Sequence, residues 1–209
     1  MPLFGKKPPS EMEKQRLMMQ AHTLQGQGEE YRVQRKDLPK AREYYEKALA
    51  LFRQTNEPLA IGRVLQGLGM IQRDLKNFRE AEKCFQEALE LFASIYDTYR
   101  QGTTTDRLAT MYYMMGDNRR SAEMYLKAGD LLLEADKAAE ALLSLTAAAS
   151  LQVDLGNPAR GEQILRHCLE VVQQQHVRQE EPHVLFLLGK TLVAQGRGAE
   201  AVPLFSRVM

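Results

Sequence analysis

The chain has 209 residues, with 28 Lys and Arg against 27 Asp and Glu, 44% hydrophobic residues, 26% charged residues and no Trp. A net charge of +1 argues against holding nucleic acid by a general basic field, which needs clustered Lys and Arg to displace counterions. Cys84 and Cys168 are too few to staple a secreted fold, and no run approaches the roughly 18 apolar residues of a membrane span, so a cytoplasmic protein without membrane insertion is expected.

Residues 1–10 read as a flexible tail. Their apolar stretch is too short, and too rich in proline, for a signal peptide, and Leu3, Phe4, Lys6 and Lys7 would make only a weak membrane anchor. Ser10 and Glu13 form a capping box that starts the first helix. Gly26 and Gly28 interrupt an otherwise helical run from Glu11, which makes that helix the weakest of the set.

From there the sequence repeats every 40 residues. A small column reads Ala41, Ala81, Ser121, Gly161 and Ala201. Four residues on comes a bulky column of Tyr45, Phe85, Tyr125, Leu165 and Phe205, and three beyond it Ala48, Ala88, Ala128, Cys168 and Val208. Steps of four and three put these columns on one helix face, where small residues flanking a large one let another helix approach closely. Ahead of each small column stand Lys36, Lys76, Gly116, Gly156 and Gly196, followed by Asp37, Asn77, Asp117, Asn157 and Arg197. Gly ends a helix in a left-handed turn and Asp or Asn caps the next. Lys is costly in that conformation, so the first two turns are expected to differ.

Another apolar helix precedes each turn, with columns Tyr31, Ile71, Met111, Leu151 and Thr191, and Leu68, Leu108, Ala148 and Leu188, broken by Gly28 in the first repeat. Each unit is therefore a helical hairpin that cannot bury both faces alone. Repeat four is degenerate, Pro158 is tolerated at its second helix start, and Pro203 is expected to kink the last helix slightly. Glu180-Glu181-Pro182 and Asn56-Glu57-Pro58 mark further helix starts.

These columns resemble the tetratricopeptide repeat family, most clearly in Leu68-Gly69, Asn77-Phe78, Ala81, Phe85 and Ala88, and again in Leu188-Gly189, Gly196, Ala201 and Phe205. The period exceeds the family's usual length of roughly 34 and is similar to the extended class of kinesin light chains and Leu-Gly-Asn repeat proteins. A HEAT-type array shares the period, but the turn and the small-aromatic-small helix favour the tetratricopeptide reading. The resemblance implies an all-α fold, a right-handed solenoid of about five hairpins over 11–209, with repeats at approximately 22–61, 62–101, 102–141, 142–181 and 182–209, the last incomplete.

It also implies a scaffold or adaptor that binds a peptide or helix of a partner protein in a concave groove walled by the first helices. Indexing those helices away from the packed columns gives Arg63, Gln66, Met70 and Arg73, then Thr103, Asp106, Thr110 and Tyr113. The next two supply Leu143, Thr146, Ser150 and Val153, then His183, Phe186, Lys190 and Val193. Arg63 and Arg73 are candidates for acidic groups of a ligand, Tyr113 and Phe186 for apolar anchors. The dicarboxylate-clamping members of the family use Lys and Asn, and this wall has no matching Asn and only Lys190. The competing expectation is a self-assembling module, because Phe205 and Val208 lie on a helix with no successor to cover it; the abrupt end also fits a piece of a longer protein.

No catalytic constellation emerges, and neither enzyme activity, a cofactor nor a metal is expected: there is no phosphate loop, nucleophile elbow or helical pair of metal histidines. His167, Cys168, His176 and His183 cluster in sequence, but Cys168 falls in a packed column. Cys84, beside Phe85, has no activating neighbour. In the run Met111 to Met115, Met111 and Met115 are expected in the packing, with Tyr113 and Met114 outward.

Overall fold

A computed structural model describes residues 9–208, which form ten α-helices with no strand among them. The helices are α1 (Glu11–Val33), α2 (Leu38–Thr55), α3 (Pro58–Asp74), α4 (Phe78–Ser94), α5 (Thr98–Met114), α6 (Asn118–Glu134), α7 (Ala138–Asp154), α8 (Pro158–Gln174), α9 (Glu181–Ala194) and α10 (Gly198–Ser206). A short 3-10 turn at Arg178–Glu180 leads into α9. Most of the tail expected at 1–10 lies outside the described residues, as does Met209.

Consecutive helices pack as hairpins, and the chain divides into two compact units after Tyr96. In the first, α1 to α4 enclose Ala41, Tyr45, Ala48, Phe52, Leu65, Leu68, Ile71 and Phe92. In the second, Leu142, Leu145, Leu165, Cys168, Leu188 and Leu192 fill the space between α7, α8 and α9. The small columns do what their size allows: Ala41, Ala48, Ala81, Ala88, Ala128, Ser121 and Ala201 are all fully buried. Opposite them the bulky rings lie on glycines of the first helix. Phe85 covers Gly69, Phe205 covers Gly189, and Tyr45 covers Gly28 and Gly67.

That contact accounts for the first helix. α1 runs unbroken from Glu11 to Val33, started by the Ser10 cap on the Glu13 amide (3.3 Å). Gly28 does not weaken it by accident: a Cβ there would stand 2.5 Å from Tyr45 Cδ2. The same tyrosine donates its hydroxyl to Glu29 Oε2 at 2.7 Å.

The turns follow a period shorter than the sequence columns show. Helices α3 to α8 are each 17 residues, joined by three-residue links. A left-handed residue therefore recurs every 20 positions, at Lys36, Asn56, Lys76, Tyr96, Gly116, Asp136, Gly156, His176 and Gly196. The expectation that the two Lys turns differ is corrected at Lys76 and holds at Lys36 in its closing bond. Lys36 (φ 53°) and Lys76 (φ 62°) both take the left-handed conformation of Gly116 (φ 77°). The Asn77 amide donates to the Gln72 carbonyl at 2.8 Å, as the Asp117 amide does to that of Tyr112 at 3.0 Å, whereas the Asp37 amide reaches one residue further back, to the Tyr31 carbonyl at 3.0 Å. Packing of the flanking helices imposes the turn, and the side chain tolerates it at a cost of roughly 1 kcal/mol.

Replacing such residues by glycine should remove the strain. Tyr96 is 91% exposed, so Tyr96→Gly gives up no packing, and Lys76→Gly is comparable. We expect each to stabilise by about 0.5–1 kcal/mol. The check is the urea midpoint: an unchanged or lower value for Tyr96→Gly would refute the strain argument.

Capping is divided by residue type. Asp37 and Asp117 accept the amides of Lys40 and Arg120 at 3.1 and 3.0 Å, and Asp97 does the same for Arg100 at 2.9 Å. Asn77 and Asn157, expected as caps, make no such bond. Their amide nitrogens donate instead to Gln72 Oε1 (3.0 Å) and Gln152 Oε1 (3.4 Å), tying the turn to the preceding helix.

Candidate functional site

The indexed face of α3, in the first unit, is less open than its sequence suggests. Arg63 is exposed, while Gln66 and Met70 are half-buried and engaged by neighbours. Arg73 binds Asp74 Oδ1 through Nε (2.9 Å) and Nη2 (2.8 Å), and its side chain is only 16% exposed. An adjacent carboxylate thus occupies the fork expected to receive a ligand's acidic group. Beside it, Arg32 pairs with Glu29 at 2.5 Å. That bond holds the Glu29 carboxyl below its ordinary range, whereas burial first, and then Glu29, push the Tyr45 hydroxyl up.

In the second unit the indexed residues converge on two clefts along α5 and α7. One, of about 250 Å³, is lined by Tyr99, Thr103, Asp106, Arg107, Leu132, Glu140, Leu143 and Ser144. Ser144 donates to Asp106 Oδ1 at 2.7 Å, and the Tyr99 hydroxyl to Glu140 Oε2 at 3.2 Å, so each carboxylate is fixed by a hydroxyl from the other helix. The second cleft, of about 230 Å³, is lined by Tyr113, Tyr125, Ala147, Ser150, Leu151 and Asp154. Thr110 and Tyr125 share a hydroxyl hydrogen bond of 3.0 Å that holds the ring in place.

Thr146 does not join them. It is 4% exposed and its hydroxyl bonds the Leu142 carbonyl at 2.7 Å, so it packs, while Leu143 stands 60% exposed. On α9, Phe186 is 45% exposed with Lys190 Nζ 5.7 Å from its ring centre and Phe205 at 6.0 Å. Of the run Met111 to Met115, Met111 is buried and Tyr113 and Met114 are exposed as expected. Met115 is a correction: it is the residue after the last turn of α5, where the helical count stops, and it is 43% exposed.

Tyr99 and Glu140 escaped the indexing, as did Arg107 and Ser144. The first two sit one turn before Thr103 and Leu143, at the starts of α5 and α7, and extending the ladder by one turn would have found them.

Neither cysteine is activated. Burial pushes the Cys168 thiol up to about 12; burial, with Glu87 and Glu80 nearby, pushes that of Cys84 up to about 11. Among the described residues no three His, Cys, Asp or Glu side chains are placed to hold a metal ion, and no helix is long and apolar enough to cross a membrane.

Residues 59–134, which span α3 to α6, match the family model of the tetratricopeptide repeat. Over that segment the chain is similar to the tetratricopeptide repeat family. Solved structures extend the fold over nearly all of it. BtubC (BKLC) from P. vanneervenii superposes with a TM-score of 0.69 at 16% identity, over 93% of this chain and 89% of its own. The tetratricopeptide-like repeats of a putative kinesin light chain from Podosopora anserina give 0.68 at 16%, over 93% of each chain. RapI gives 0.79 at 16%, over 91% of this chain but 53% of its own. At such identities the likeness concerns the fold, an all-α solenoid of tetratricopeptide hairpins, and the HEAT-type alternative is set aside.

Proposed function

We propose that this chain is a cytoplasmic, non-catalytic interaction scaffold of the tetratricopeptide repeat type whose second unit receives a peptide segment of a partner protein along α5 and α7. The supporting observation is the pair of clefts on these helices, which collects Thr103 and Asp106 in one and Tyr113 and Ser150 in the other. Exposed apolar surface at Leu143 (60%) and Tyr113 (56%) accompanies hydroxyl-anchored polar groups, a mixture that suits a bound chain carrying both apolar and polar side chains. The α3 wall of the first unit is the weaker candidate, because Arg73 is occupied by Asp74.

The test is selection of peptides from a displayed random library, followed by affinity measurements on variants. Leu143→Ala combined with Tyr113→Ala should weaken selected peptides at least about tenfold, the loss of two anchors. Arg63→Glu should leave them within about twofold. Equal affinity for the double variant and the parent would sink the α5/α7 reading.

Self-association is the second reading, favoured by Val202 (63% exposed) and Val193 (53% exposed) on the α9/α10 hairpin. Light scattering over a concentration series separates the two.

A further inference from the structure

We infer that one edge of the first unit, where the α1/α2 and α3/α4 turns lie, binds an acidic segment of a partner protein through Lys36, Lys40, Lys76 and Arg79. The inference is independent of the groove on α5 and α7 and concerns a different unit of the chain.

Consecutive helices pack as antiparallel hairpins, so the turns after α1 and α3 fall at the same end of the first unit. They are neighbours: Arg32, at the end of α1, is raised above its ordinary range by Glu29 first and also by Asp74, at the end of α3. Two interaxial spacings of about 8–10 Å put the turns within about 20 Å of each other, a span that about six extended residues cover.

All four side chains are exposed and form no ion pair among the described residues. The acids beside them are committed elsewhere. Glu30 holds Arg35 at 2.7 Å, Glu43 holds Lys47 at 2.6 Å, Asp74 holds Arg73 at 2.8 Å and Glu80 holds Lys83 at 3.0 Å, while Asp37 caps the Lys40 amide. Lys40 is also placed in advance of a ligand: its ammonium stands 4.9 Å from the centre of the Tyr31 ring, which stacks with that of Tyr44 at 5.3 Å. Residues 1–8 cannot supply the opposite charge, since they contain Lys6 and Lys7 and no acid.

The backbone points the same way. Lys36 and Lys76 occupy left-handed positions, which disfavour a residue with a Cβ, and the equivalent turns of the second unit have Gly116, Gly156 and Gly196. Backbone strain clusters where a side chain is used. The first unit thus keeps an ammonium at each of two turns where glycine would be the more stable choice. A nucleic acid is the poorer fit, because its affinity comes from about six or more phosphate contacts. A membrane surface would need apolar side chains beside the lysines, and Val33 is the only large one exposed at these turns among the described residues.

The experiment titrates the whole protein at about 20 mM salt, followed by amide NMR, with an acetylated, amidated octapeptide of alternating Glu and Ser. Its control alternates Gln and Ser. The Glu peptide should perturb the amides of 35–40 and 75–80 and bind at least about tenfold more tightly than the Gln peptide, an advantage that about 200 mM salt should largely remove. Lys36→Gly combined with Lys76→Gly should raise the urea midpoint yet bind the Glu peptide at least about fivefold more weakly, a loss that misfolding cannot explain. Lys36→Arg with Lys76→Arg should bind within about twofold of the parent, as should Arg160→Gln beside the Gly156 turn of the second unit. Equal binding of the two peptides, perturbations that fall elsewhere, or a glycine variant that binds as the parent does would each overturn the inference. An oligothymidylate, or vesicles containing phosphatidylserine, bound at this edge more tightly than the Glu peptide would overturn the assignment to an acidic protein segment.

Discussion

Gly69→Ala should destabilise the protein by about 2 kcal/mol, although alanine is the better helix former by roughly 1 kcal/mol. A Cβ at position 69 would stand 2.6 Å from Phe85 Cε1 and 2.7 Å from its Cδ1. The ring has nowhere to go: Phe85 is fully buried, and so are Ala81 and Ala88 on either side of it in α4. The helices must separate or the ring must leave its rotamer, and overpacking of this kind costs about 1–3 kcal/mol before the gain in helix propensity is set against it. Gly28→Ala meets the same obstacle at Tyr45 Cδ2 (2.5 Å) and would strain the Tyr45 bond to Glu29 as well. Gly26 is the internal control, since a Cβ there meets nothing within 4 Å, and Gly26→Ala should stabilise by about 0.5–1 kcal/mol. Urea unfolding of the three variants gives the comparison. If Gly69→Ala and Gly26→Ala shift the midpoint in the same direction, the fit of ring onto glycine does not limit stability.

These glycines also show what the sequence could and could not reveal. The apolar and small columns were legible because burial repeats: each hairpin presents the same face to its neighbour, so Ala41, Ala81 and Ala201 recur at one spacing and are all buried. The turn column was legible where glycine marks it. It was invisible at Tyr96 and His176, where packing on both sides forces a left-handed residue that its own side chain does not favour. Polar pairing was the least legible layer. Whether Arg73 faces a ligand or Asp74 is a matter of rotamer, and whether Thr146 opens outward depends on a carbonyl one turn away. The site itself was half legible. Indexing found Asp106 and Tyr113, but the bond from Ser144 to Asp106 joins residues 38 apart and that from Tyr99 to Glu140 joins residues 41 apart, which no single-helix count exposes.

Acid should erase the effect of Glu162→Gln. The last turn of the described repeats lacks an Asp or Asn cap, having Arg197 in its place, and this arginine is bound to Glu162 Oε2 (2.6 Å) and Glu200 (2.7 Å). Gln195 also donates to Glu162 Oε2, at 2.8 Å, and Arg166 to Oε1, at 2.7 Å, so one carboxylate joins α8 to the turn between α9 and α10. Its side chain is 13% exposed. Burial alone would raise its pKa, but the bonds from Gln195, Arg166 and Arg197 outweigh burial and hold the group at about 2. Because this lies below the unfolded value of roughly 4.3, the unfolded chain takes up a proton first on acidification. The stabilisation is therefore complete above about pH 5, declines as the pH falls, and is gone once the pH passes below the folded value of about 2. Allowing for solvent screening, the carboxylate contributes on the order of 1–2 kcal/mol at neutral pH. Glu162→Gln should cost that amount at pH 7, with faster hydrogen exchange in α9 and α10, and less than about half of it at pH 3. Urea midpoints of the two proteins should thus converge on acidification. Curves that stay parallel from pH 7 to pH 3 would mean that the junction is held by packing of Leu165, Leu188 and Leu192 rather than by this charge.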